Sequence, residues 1–201
     1  MRLDWSPVDL DLATTTTLAT SPEELARQVR RLADTEAVRA LNALYSVAVD
    51  DHDLATVVRC FAADGTFTRA GVTYRGHDEL RPFYASMMDR YVTTLHVSHS
   101  HVLDLDTHAG SGTGLATGHG ELALEGRLLM TAFRYDDRYV RLEDGRWVFA
   151  ARDLRSMYVM PIEEMPHGFA DSRRVRMPGA EPAQAAIPET LPTWTTYRDL
   201  L

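Results

Sequence analysis

The sequence predicts an α+β domain, with helices leading and a run of antiparallel strands following. Three observations carry this. Between residues 25 and 91, apolar side chains recur every three or four positions. From about 94 to 158 the period falls to two, in four long segments. Those segments are separated by turn chemistry at Thr107 to Gly112, at Glu125-Gly126 and at Glu143-Asp144-Gly145. A sheet that curls around helices leaves a concave pocket, the usual place for a small ligand.

The elements follow in order. Residues 1–20 are acidic, then threonine-rich, and read as an extended arm. Ser21-Pro22-Glu23-Glu24 starts a helix, with a serine cap, a proline at the first position and a glutamate at the third. Leu25, Val29 and Leu32 form its stripe. Asp34 or Thr35 can cap a second segment carrying Val38, Leu41, Leu44, Tyr45 and Ala48. Asp53 caps another helix, with Leu54, Val57, Val58 and Phe61 inward, ended by Ala63-Asp64-Gly65. Residues 66–68 and 72–74 flank Ala70-Gly71 as a short hairpin. A further helix is expected from Glu79 to Tyr91, with Leu80, Phe83, Tyr84, Met87 and Tyr91 inward and Pro82 tolerated in its first turn. Strands are expected at 94–106, 113–125, 127–142 and 146–158. The domain therefore covers 21–160. Six of the nine prolines fall between 161 and 192, so 161–201 is an irregular extension. Its Leu191, Trp194 and Tyr197 are expected to dock it over the cavity mouth or onto a neighbouring subunit.

Composition narrows the function. The 201 residues suit one domain of ordinary size with a tail, and 45% hydrophobic with 25% charged residues is the balance of a soluble globular protein. A net charge of −8 argues against nucleic acid as a partner. No apolar run nears the roughly 18 residues of a membrane helix, and the N-terminus lacks the apolar core of a secretory signal, so a cytoplasmic location is expected. All 21 basic residues are arginine, which removes Schiff-base and P-loop lysine chemistry. The lone cysteine, Cys60, rules out an internal disulfide and reads as a core thiol.

A few residues stand out chemically. Asp50 ends a helix pattern, where a carboxylate opposes the helix dipole. It is either a fraying acidic end or a carboxylate held there to orient a cation, most simply a histidine. Five of the eight histidines lie between 96 and 119. On strict alternation His96 shares a face with Ser98 and Ser100, while His99 and His101 share the other and could reach a common metal. No carboxylate or cysteine motif completes such a site. His119 sits between Gly118 and Gly120, which suggests something packs close there. Arg152 shares a face with Val148 and Ala150 on alternation. It is either a buried charge needing a partner or an anion clamp.

The stretches "LNALYSVAVDDHDLATVVRCFAADGTF", "YRGHDEL", "TTLHVSHS" and "DGRWVFAARD", in this order and spacing, resemble the SnoaL-like branch of the nuclear transport factor 2-like superfamily over residues 25–158. Within it the chain is most similar to scytalone dehydratase, bile acid 7α-dehydratase and hexachlorocyclohexane dehydrochlorinase. The resemblance implies a cone-shaped α+β barrel, with helices packed on a strongly curved sheet around a deep cavity. It implies that Asp50 orients His96 as general base, with Tyr45 and His119 as acid or electrophile. Arg152, Phe133, Trp147 and Tyr84 are implied as substrate contacts. It also implies no metal and no cofactor, a small apolar ring-containing hydroxy-carbonyl substrate of polyketide, terpenoid or steroid type, and a homo-oligomer, trimer or dimer. The activity implied is that of a dehydratase or isomerase. A polyketide-type cyclase and a non-catalytic binding or dioxygenase small-subunit-like protein stand as alternatives.

Overall fold

The computed structural model describes residues 17–200, so the expected arm lies outside the described residues except for 17–20. Helix α1 (Pro22–Asp50) opens with the expected capping box: Glu24 N–H donates to Ser21 Oγ, and Ser21 N–H donates back to the Glu24 carboxylate. It then runs unbroken for 29 residues, where the sequence suggested two segments. Asp34 does not cap because its carboxylate points into the fold. It accepts a bond from Trp147 Nε1 at 2.9 Å and pairs with Arg141 at 3.0 Å.

Helix α2 (Leu54–Arg59) is capped by Asp53, and strand β1 (Phe61–Arg69) begins directly after Cys60. The expected helix end at 63–65 is thus already strand, because Phe61 pairs beside Phe149. Cys60 is buried, and burial pushes its thiol up to about 11. The turn Ala70-Gly71, with φ of 50° and 80°, is the left-handed pair that suits a tight hairpin to β2 (Val72–Arg75). Helix α3 (Gly76–Arg90) starts three residues before Glu79. Four long strands follow: β3 (Thr93–Asp106), β4 (Ser111–Leu124), β5 (Arg127–Arg141) and β6 (Trp147–Pro161).

One curved sheet results, ordered β2-β1-β6-β5-β4-β3, parallel only between β1 and β6. Its inner face packs on α1 and α3 around Tyr45, Phe61, Tyr84, Tyr135 and Phe149, whose rings meet mostly edge to face. Register shifts break the ladder between Ser98 and His101 in β3, and opposite Ala150 and Met157 in β6. Each bulge adds one residue to one strand, so the inward-outward alternation inverts beyond it.

β1 pairs with β6 only as far as Leu154, leaving the last part of β6 with a free edge. The C-terminal extension fills it. Beyond a 3-10 turn (Ile162–Glu164) and the short α4 (Met165–Gly168), Val159 N–H donates to Arg174 O, and Ala186 N–H donates to Ser156 O. Ala185 and Ile187 are buried, and Arg174 pairs with Glu189 at 2.8 Å. Trp194 and Tyr197, the expected anchors, are instead 36% and 54% exposed on α5 (Pro192–Arg198), where they contact each other. Docking uses backbone bonds to an open strand edge and so does not need the aromatic pair. Among the described residues, no helix is long and apolar enough to cross a membrane.

Candidate active site

Asp50 is the last residue of α1, and its carboxylate reaches across to the start of β3. It accepts hydrogen bonds from Thr94 Oγ1 at 2.8 Å, from the His96 backbone N–H at 2.8 Å and from His96 Nδ1 at 2.6 Å. Burial pushes the Asp50 carboxyl up, but the three bonds outweigh it and hold the group below the usual carboxylate range. The dipole mismatch at this helix end is therefore answered by donors from another element. With Nδ1 donating to Asp50, the lone pair of His96 lies on Nε2. No described side chain bonds to Nε2, and His96 lines a cavity.

The cavity measures about 100 Å³. At about 30 Å³ per water in the liquid, that is room for about three waters. Its walls are mainly aromatic and aliphatic, and among the described residues no aspartate or glutamate lines it. At the floor, the Tyr45 and Tyr84 hydroxyls bond to each other at 2.9 Å. Burial raises both phenols, with Arg152 offsetting part of the effect at Tyr45, so both remain protonated donors. Phe133 flanks His96, its ring centre 5.9 Å from that of the imidazole. It fits because β4 has a glycine opposite. A Cβ on Gly118 would lie 2.8 Å from Phe133 Cζ and 2.7 Å from the Val97 carbonyl oxygen.

The SnoaL-like domain family matches residues 30–153, more than half of the sequence. The chain belongs to the SnoaL-like family. Solved structures agree on the fold. A hexachlorocyclohexane dehydrochlorinase of LinA type 3 from Novosphingobium barchaimii superposes with a TM-score of 0.62 at 21% identity, over 67% of this chain and 94% of that one. A scytalone dehydratase-like protein from Novosphingobium aromaticivorans gives 0.62 at 15% identity, over 77% and 99%. ActVI-ORFA from Streptomyces coelicolor gives 0.53 at 15% identity, over 61% and 96%. No protein of curated function matches the sequence.

This SnoaL-like cavity gathers His96, Tyr45, Tyr84 and Phe133, with Asp50 bonded to His96 from outside the lining, and it leaves out three residues expected there. His119 faces away. β4 has no extra residue, so strict alternation turns Gly118 and Gly120 inward and His119 outward, where its Nδ1 lies 2.7 Å from His99 Nε2. Arg152 is not an open clamp. The bulge at Ala150 puts it on the inner face of β6, yet beneath the cavity floor at 1% exposure. Its guanidinium donates to both Asp137 oxygens, at 2.9 and 2.8 Å, and also to Asn42 Oδ1. It lies 3.8 to 4.4 Å from the centres of the Phe149, Tyr135 and Tyr45 rings. Its charge is neutralised in place, and it supports Tyr45 from below. Trp147 is buried at the far end, tied to Asp34.

Strict alternation also misplaced His101. The β3 bulge turns it inward, 3.0 Å from the Tyr139 hydroxyl, and burial lowers it to about 4, so it stays neutral. Among the described residues, no three metal-ligating side chains gather. Three cavity residues carried no sequence signal of function: His52, at a φ of 58° just past α1, Arg69 at the end of β1, and the hydroxyl of Tyr91 after α3.

Proposed function

We propose that this protein is a cofactor-independent lyase or isomerase that removes a proton next to the carbonyl of a compact, apolar ring compound. The observation that supports it most is the 2.6 Å Asp50–His96 bond at the wall of a cavity lined by no carboxylate among the described residues. Asp50 fixes the tautomer and balances the imidazolium that forms. His96 Nε2 takes the α-proton, and the C–H electron pair becomes an enolate. Of the bonded Tyr45–Tyr84 pair, the hydroxyl that accepts from the other keeps its own proton free to donate to the enolate oxygen. Asp50 lies five positions after Tyr45 on the same helix, about 7.5 Å of rise, so donor and orienting carboxylate are held on one rigid element. In a β-hydroxy ketone the enolate re-forms the carbonyl and expels the hydroxyl, which leaves as water with the proton from His96. Without a leaving group, return of the proton to another carbon gives isomerisation.

The proton-removal step is measurable by itself. We expect the protein to exchange the α-protons of 2-indanone for deuterium in heavy water, followed by proton NMR. His96→Ala should slow that exchange by about a hundredfold or more. An unchanged rate in His96→Ala would remove His96 as the base.

A further inference from the structure

The cavity wall carries two polar groups whose expected partners are missing among the described residues. Arg69 lines the wall, yet its guanidinium donates only to the thioether of Met87, at 3.2 Å. Among the described residues no carboxylate lies within ion-pairing distance of it. By contrast, several buried or half-buried arginines are matched by a carboxylate: Arg152 by Asp137, Arg141 by Asp34, Arg174 by Glu189. Tyr91 is 7% exposed and lines the same cavity, but its hydroxyl has no hydrogen-bond partner among the described residues. Arg69 touches the sulfur of Met87, and Met87, four residues before Tyr91 on the chain, packs against the apolar cluster that contains Tyr91. A half-buried guanidinium and a buried phenol with no acceptor are each unfavourable alone. A single acceptor anion would satisfy both.

We propose that Arg69 and Tyr91 bind a carboxylate of the substrate, so that the molecule presented to His96 is a ring-containing acid rather than a neutral ketone. The inference rests on the reaction assigned above only in calling the ligand a substrate. A carboxylate suits the site because its single charge matches the one guanidinium, and its planar pair of oxygens fits the guanidinium fork. A phosphate dianion would leave a second charge facing apolar walls. The carboxylate would sit against Arg69 and Tyr91, with the ring between the walls and the reacting carbon toward His96.

The test is isothermal titration calorimetry of the full chain with cinnamate and with cinnamamide, its uncharged counterpart. The wild type should bind cinnamate about tenfold to a hundredfold more tightly than cinnamamide. Arg69→Gln should abolish that preference. Tyr91→Phe, which keeps the ring in place, should weaken cinnamate severalfold and leave cinnamamide unchanged, and Arg69→Lys should restore part of the preference. Equal affinities, no binding of cinnamate, or a preference that survives Arg69→Gln would each overturn the proposal. None of these readings requires turnover. The dyad is judged separately by exchange of 2-indanone in the wild type and His96→Ala, so either idea can fail without the other.

Discussion

Replacing Asp50 by asparagine removes one charge and keeps the shape. In the native site the two carboxylate oxygens accept three bonds, all from N–H or O–H donors. An asparagine has one oxygen. Its amide nitrogen must then face a donor, either the His96 backbone N–H or the Thr94–His96 side-chain pair. The larger loss is electrostatic. Once His96 takes a proton, it and Asp50 form an ion pair. Two unit charges about 4 Å apart attract by about 4 kcal/mol at an effective dielectric of about 20. The side chains retain 17% and 14% exposure, so we discount this to about 2 kcal/mol. That corresponds to about a thirtyfold loss of rate. Asp50→Asn should therefore slow deuterium exchange into 2-indanone about thirtyfold, less severely than His96→Ala. A rate within about threefold of wild type would show that the carboxylate does not stabilise the protonated imidazole, and the dyad reading would fall.

Other outcomes follow from the same contacts. Asp137→Asn leaves Arg152 charged and unpaired at 1% exposure, which should cost about 3–5 kcal/mol and lower the melting temperature by about 10 °C. A drop under about 3 °C would mean the guanidinium finds another partner. Gly118→Ala drives a methyl against the Val97 carbonyl oxygen and the Phe133 ring, so urea unfolding should show a loss of about 1–3 kcal/mol, and exchange should slow as Phe133 moves. Unaltered stability would indicate that the β3–β4 spacing adjusts. Because Asp50 is held below its ordinary range, its stabilisation is complete above the unfolded value of about 4 and is lost as pH falls through the native one. The melting temperature of Asp50→Asn should thus fall less steeply below about pH 4 than that of the wild type, and parallel curves would contradict this.

The parts of this site that were legible lie where local chemistry marks a boundary. Ser21 and Glu24 announce α1, an aspartate at its far end is out of place by the dipole rule, and His96 opens a strand just after the helical period stops. Both ends of the dyad are therefore visible in sequence, and Gly118 and Gly120 signalled a close approach that proved to be Phe133. What was hidden lies beyond the bulges. One extra residue at Ala150 and one near His99 each exchange inner and outer faces, and neither stretch has a glycine or proline to mark it. The faces of Arg152 and His101 were misread for that reason, though Arg152 is the buried charge with a partner that was one of its two readings. His119 was misplaced for a different one: β4 is regular, and the role of His119 came from the resemblance alone. Arg69 reads as an ordinary hairpin charge, and only the lack of a facing carboxylate sets it apart.

The unbroken α1 acts as a torsion bar. Asp34, near its middle, is clamped by Trp147 and Arg141, and Asp50 lies sixteen residues further on, about 24 Å along the axis. A helix held only by its greasy stripe can roll. A roll of about 20° would swing a carboxylate about 5 Å off the axis by about 2 Å, enough to break its bond to His96. The remote clamp fixes the azimuth of the helix, so the aim of the dyad is set partly by two residues, Trp147 and Arg141, that never meet the substrate.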